Sequence, residues 1–325
     1  MTQMTFSDAE YAGKRKQTRR EIFLAEMDQV VPWDALLAVI EPVHPKAGKG
    51  RRPYAIKMML RIHLLQNWFG YSDPAMEEAL YEVAPLRRFA GLSLTRGSVP
   101  DETTILNFRR LLEIHDLAPR VLATINAYLT DKGLLLRQGA TVDATIIHAP
   151  SSTKNKAKTR DPETSRTRKG QQWYFGMKAH IDVDVELGLV HTVTTTAENV
   201  ADAVEVADLV HGKEKTVYAD AGYIGAAKRA PKRGQKWHIA AKRGSIKTMA
   251  EGEVKDAAIH VEYLKAAVRS KVEHPFRVIK RQFGYLKVRF EGLAKNTAQT
   301  LTLFALSNLW MMRRTLLTPV GEVRP

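Results

Sequence analysis

Two apolar runs each carry one acidic residue where a core residue would be expected. "TVDATIIHAP", residues 141–150, reads as a buried strand broken by Asp143. "KTVYADAGYIG", residues 215–225, ends its apolar stretch at Asp220, with Gly222 placed where the backbone must turn sharply or a ligand must approach. A third acid, Glu273, stands alone between Lys265 and Arg289 among eight Lys and Arg residues. Buried carboxylates are costly unless they are paired or bind a cation. Three oxygen ligands, with no cysteine and no clustered histidine, suit a hard ion such as Mg²⁺ or Mn²⁺ rather than zinc. A pair of such ions, about 3.5 to 4 Å apart, can drive in-line displacement at a phosphodiester. The plainer alternative for Asp143 is a hydrogen bond to a neighbouring loop.

The composition fits a phosphodiester partner. Fifty Lys and Arg oppose 35 Asp and Glu, a net charge of +15, which favours a polyanion. The absence of cysteine excludes disulfides and thiolate metal sites and fits a cytoplasmic location. The beginning, "MTQMTFSDAEYAGKRKQ", has no signal-peptide stretch, and "LTLFALSNLWMM" is too short to span a bilayer, so no membrane role is expected. A chain of 325 residues suggests two domains.

The elements that must position these acids fall into two halves. Residues 1–135 read as helical. Pro53 opens a core helix, "YAIKMMLRIHLLQNWFG"; Ser72, Asp73 and Pro74 begin "AMEEALYEVA"; Asp101 and Glu102 begin "ETTILNFRRLLE"; and residues 117–129 form another helix. The arrangement suggests a helix-turn-helix in which Thr103, Thr104, Asn107, Arg109 and Arg110 face a DNA groove, although a plain bundle with a solvated face has the same pattern. Residues 136–316 read as a mixed α/β domain, and 317–325 as a tail. Within that domain residues 151–170, with seven basic and two acidic residues, suggest a mobile solvated loop, either a tether or a DNA clamp. "WYFGMKAHIDVDVELGLVHTVTTTA" suggests a β-hairpin, with Asp182 and Asp184 on its solvated face. "NVADAVEVADLV" suggests an amphipathic helix, residues 254–283 a basic helical segment, and "TAQTLTLFALSNLWMMRR" a core helix.

With those residues in hand, "TVDATIIHAPSSTKNKAKTRDPETSRTRKGQQWYFGMKAHIDVD", "VYADAGYIG" and "RSKVEHPFRVIKRQFGYLKVRFEGLAKNTAQ" resemble the DDE transposases of bacterial insertion sequences, specifically the insertion-sequence-five family, over residues 51–314. The resemblance implies an α/β, ribonuclease-H-like catalytic domain, a mixed sheet flanked by helices, preceded by an all-α DNA-binding region. It implies that Asp143, Asp220 and Glu273 are the catalytic, metal-holding triad, taking Mg²⁺ or Mn²⁺ as two ions. Arg269 and Lys280 match the family's cations four residues before and seven after the Glu, offsets that share one helical face. Arg277, Arg281 and Lys178 join them as expected DNA contacts. The family's Tyr three residues before the Arg is replaced by Ala266, and Pro275 should disturb the helix after Glu273.

The implied function is transposition. The protein would bind terminal inverted repeats and target DNA, cut and join strands as a homodimer assembled on double-stranded DNA, and work at the bacterial nucleoid. Two alternatives stay open: a metal-dependent nuclease that joins nothing, and an inactive DNA-binding regulator. His180 reads as a satisfied core histidine rather than a group at the metal, and Trp173, Tyr174 and Phe175 read as core rather than as a base-stacking platform.

Overall fold

The computed structural model describes residues 16–48, 52–93, 97–135, 139–154, 158–169, 171–210, 212–230 and 234–318. The expected tail from residue 319 onward, the basic positions 49–51 and the middle of the 151–170 segment at 155–157 lie outside them. The chain forms two compact units. One comprises residues 1–125 with 309–325, the other residues 126–308.

The first unit is helical: α1 Arg19–Val30, α2 Trp33–Ile40, α3 Ile56–Phe69, α4 Asp73–Glu82, α5 Ala84–Ala90, α6 Glu102–Ile114 and the start of α7 Leu117–Asp131. Polar caps set the helix starts. Thr18 and Glu21 form a reciprocal capping box at α1, Ser72 Oγ accepts the Ala75 N–H at 3.3 Å, and Asp101 Oδ1 accepts the Thr104 N–H at 2.7 Å. Pro53 does not open α3, which begins three residues later after Ala55 and stops at Gly70 in the left-handed region. Leu60, Leu65, Trp68, Met76, Leu80 and Phe89 fill the core, with Trp68 edge-on to Phe89 at 5.6 Å.

The second unit is a six-stranded mixed sheet with helices: β1 Gly139–His148, β2 Ser165–Lys169, β3 Gln172–Asp184, β4 Val190–Ala197, α8 Val206–Leu209, β5 Thr216–Ala219, β6 Lys236–Ile239, α9 Arg243–Lys247, α10 Glu253–Arg269, α11 Glu273–Arg277 and the part of α12 Leu293–Leu317 up to Asn308. β1 pairs antiparallel with β3 and parallel with β5, so it is the strand at which the sheet changes sense; β6 then extends the parallel side. One face of β1 and β5 packs Ala140, Val142, Val217 and Ala219 against Val206, Leu209 and Tyr223. Where one amphipathic helix was expected at 199–210, the structure has a 3-10 turn, Asp202–Val204, and the single turn α8. The β-hairpin β3–β4 is present as expected.

Two further expectations are corrected here. Asp182 and Asp184 do not face water, being 0% and 1% exposed. Alternation on an antiparallel strand implies a wet face only if nothing covers it, and here both faces of β3 are covered from Ala179 to Asp184. Asp184 is retained because it builds the hairpin turn, accepting the Glu186 and Leu187 N–H groups on Oδ1 and that of Leu189 on Oδ2 at 2.7–2.9 Å. Among the described residues neither oxygen of Asp182 finds a hydrogen-bond partner, and burial, with Glu214 and Asp184 nearby, pushes its carboxyl well above the usual range.

The segment 151–170 is not simply a loop, because β2 pairs with the outer end of β3. Its two acids are anchors: Asp161 Oδ2 accepts the Gly292 N–H at 2.9 Å, and Glu163 accepts the N–H of Leu293, the first residue of α12. Where β3 leaves β1, Gly176 lies so close that an added Cβ would stand 2.1 Å from Ile147 O. A Gly176→Ala variant is therefore expected to destabilise the second unit by more than the ~1–3 kcal/mol typical of core overpacking, because backbone rather than a flexible side chain is in the way. Urea denaturation with a midpoint equal to wild type would contradict this.

Candidate active site

Three elements deliver the three acids. Asp143 is on β1, one position past Val142, which pairs with Ala219 at the end of β5; Asp220 follows immediately, so the two carboxylates leave adjacent parallel strands side by side. Asp220 Oδ1 accepts the Gly222 N–H at 2.8 Å and starts the 3-10 turn Ala221–Tyr223, the reason a glycine follows it so closely. Glu273 is the first, exposed residue of α11, and Arg269 is the last residue of α10.

Electrostatics ties them together. Burial pushes the Asp143 carboxyl up to about 7, the negative charges of Asp220 and Glu273 add to the rise, and the Ala144 N–H at 2.7 Å and the Arg269 guanidinium oppose it. Tyr223, in the core cluster with Val142 and Val217, has its hydroxyl buried and, among the described residues, without a hydrogen bond. Burial, then Asp143, Asp202 and Asp220, push its phenol well above the ordinary value. Among the described residues, no three acidic or imidazole side chains already stand close enough to grip a metal ion. The donor set nevertheless fits one: all-oxygen, mutually repelling, and short of the positive charge that a divalent cation would bring.

Pro275 acts as the sequence suggested. Its ring nitrogen cannot donate to Lys271 O, and the helix passes through a 3-10 turn at Ser270–Val272, α11, and then a π-helical turn at Val278–Gln282. The Lys271 carbonyl, which accepts the Glu273 N–H instead, packs on Gly188 of the β3–β4 turn, where a Cβ would meet it at 2.8 Å. In the widened turn Lys280 donates to Thr145 Oγ1 at 2.7 Å and Ile146 O at 3.0 Å, clamping this segment to β1 two residues beyond Asp143. Arg277 and Arg281 are exposed beside it.

Lys178 is engaged as well. Its Nζ lies 2.9 Å from Asp202 Oδ1 and 2.8 Å from Val200 O. Asp202 is the acid that sequence reading missed. It sits in the stretch read as an amphipathic helix, where an acid on the polar face stands out from nothing, yet it reaches the Asp220 turn, where a Cβ on Gly222 would find Asp220 Oδ1 at 2.9 Å and Asp202 Oδ2 at 3.5 Å. His180 is fully buried, its Nε2 paired with Thr196 Oγ1 at 2.8 Å; burial lowers it to about 4, leaving it neutral.

In the helical unit the expected groove-facing residues divide. Thr103, Asn107 and Arg110 are exposed on one face of α6, and Thr104 and Asn107 border a cavity of about 250 Å³ shared with Arg52, Tyr54 and Phe108. Arg109 points the other way. Its side chain, 14% exposed, holds Asp73 at 2.8 Å and Glu113 at 2.9 Å through the guanidinium, and these hydrogen bonds outweigh burial and raise its pKa. It is a structural cation rather than a groove contact.

Comparison with known proteins agrees with this arrangement. Solved structures with some likeness include a piggyBac transposase synaptic complex with hairpin DNA (9% identity, 96% of this chain and 80% of that one, TM-score 0.46) and the Mos1 strand transfer complex (11% identity, 76% and 82%, TM-score 0.16). Both likenesses are too slight to argue from. The family comparison is decisive: residues 12–111 match a transposase domain (DUF772), and residues 135–309, more than half of the chain and including all three acids, match the transposase DDE domain. The ribonuclease-H-like mixed sheet with its helical N-terminal region is thus the scaffold of a DDE domain, and the chain belongs to the DDE transposase family.

Proposed function

We propose that this protein is the transposase of a bacterial insertion sequence of the insertion-sequence-five family. In this reading the helical region recognises the terminal inverted repeats through the Asn107 and Arg110 face, and the DDE domain cuts and joins strands on a homodimer assembled at the nucleoid. The observation that carries it is the match of residues 135–309 to the transposase DDE domain, together with Asp143 and Asp220 leaving adjacent parallel strands side by side. DDE domains use divalent metal, here Mg²⁺ or Mn²⁺ as two ions, and the residues that would hold it are Asp143, Asp220 and Glu273. When bound, the metal supplies Lewis-acid activation of the attacking oxygen and charge neutralisation at the leaving oxygen.

The chain's own residues do the rest. Arg269, Arg277 and Arg281 hold phosphates beside the acids, Lys280 fixes the helix that carries Glu273 against β1, and Lys178 orients Asp202 at the edge of the site. Water attacks phosphorus at the element end and the bond to the 3′ oxygen breaks. The freed 3′-hydroxyl then attacks a target phosphodiester and displaces its 3′ oxygen.

The test is incubation with Mg²⁺ and DNA carrying the element's own ends. Joined products, absent without metal, are expected. Cutting without joining would favour a nuclease, and binding with neither would favour a regulator.

A further inference from the structure

The outer end of β3 does more than pair with β2. β1 ends at His148, opposite Gly176, so residues 172–175 project beyond it with β2 as a two-stranded arm. Directly opposed residues share a face. The arm therefore carries Arg166 with Phe175 and Arg168 with Trp173 on one side, while Tyr174, on the other, stacks on His148 at 5.5 Å. Arg160 adds a third guanidinium, 5.5 Å over the Phe175 ring, and Lys287, bridged to His148, lies at the arm's root. Trp173 was expected in the core, yet it is 65% exposed. Among the described residues no strand or helix covers the tip.

Alternation places this cationic and aromatic face on the active-site side. Ile181 opposes Asp143, and Ala179, Met177, Phe175 and Trp173 follow at every second position. From Ile181 to Trp173 the strand rises roughly 26 Å at 3.3 Å per residue, about the length of eight stacked base pairs.

We propose that the β2–β3 arm is a second DNA site, about eight base pairs from the scissile phosphate, where Trp173 stacks on an unpaired base while Arg160, Arg166 and Arg168 hold the flanking phosphates. The indole reads no acceptor pattern beyond a single N–H, so what it offers DNA is a π face; an intact duplex presents base faces only where its stack is opened. The surrounding guanidiniums match a polyanion and would repel a basic partner, including a second copy of this chain, whose net charge is +15. The inference rests on the reading of DNA as substrate, and needs no catalysis.

The test is fluorescence anisotropy of the full-length protein with a perfect duplex and with the same duplex carrying a two-base bubble. Wild type is expected to favour the bubble by about tenfold, the preference to vanish in Trp173→Ala and persist in Trp173→Phe, and Arg166→Ala to reduce the salt slope by about one for both probes. Circular dichroism of each variant should match wild type, since both positions are exposed. An unchanged bubble preference in Trp173→Ala, or none in wild type, would overturn the arm site alone. Loss of self-association without DNA, with the preference intact, would reassign the arm to a second copy and overturn it too. A wild type that binds neither duplex would overturn the transposase reading itself.

Discussion

Replacing Asp143 with Asn is expected to abolish strand cleavage, by at least about a thousandfold, while making the metal-free protein more stable. The two effects share one cause. In the folded chain burial, Asp220 and Glu273 hold the Asp143 carboxyl near 7, whereas an unfolded Asp titrates near 3.9. Between roughly pH 4 and 7 the folded state keeps a proton that the unfolded state has released. Stability therefore falls as pH rises through that window and stays low above it. The full shift corresponds to an upper bound of roughly 4 kcal/mol, and Asn removes it. The melting temperatures of wild type and Asp143→Asn should coincide near pH 4 and separate by pH 8. Mg²⁺ should raise the wild-type value and leave the variant's unchanged. If the variant cleaves as well as wild type, or melts lower across the whole range, the metal assignment at Asp143 fails.

Arg109→Ala should unfold the helical unit more readily, by less than the ~3–5 kcal/mol of breaking a fully buried pair from one side, because the pair is part-buried. Asp73 keeps its 2.8 Å bond from Gln66, but neither it nor Glu113 retains the guanidinium that neutralises it. A second readout comes from His63. Burial, then Arg109, lowers it to about 4 against the pull of Asp73, so loss of the guanidinium should raise its pKa, visible in an NMR titration. Unchanged stability with a selective loss of DNA binding would instead place Arg109 in the groove.

That contrast shows what the sequence could reveal. "ETTILNFRRLLE" carries two adjacent arginines, which helical geometry points about 100° apart. Nothing local says which one turns inward; the choice depends on Asp73, in another helix. The carboxylates were legible for the opposite reason, since an acid inside an apolar strand contradicts its surroundings. Asp202 contradicted nothing. Asp182 and Asp184 were misjudged because alternation reports two faces of a strand without reporting what covers them. Trp173 was misjudged because hydrophobicity argues for burial, while the place where β1 ends decides it. Pro275 was read correctly because its effect is covalent and local.

The position of β1 at the change of sense in the sheet also sets an order of assembly. Its pairing with β3 closes a loop of roughly 30 to 40 residues, and β3–β4 a far shorter one. Its pairing with β5 must close a loop of roughly 80 residues, and docking of the helix that bears Glu273 one of roughly 130, steps that are slow rather than prohibitively unfavourable. A half-folded chain can hold the antiparallel strands and their arm with Asp143 still alone and hydrated. Mutual repulsion of the acids begins only when the last long-range contacts close, so the chain is built before it becomes able to cut.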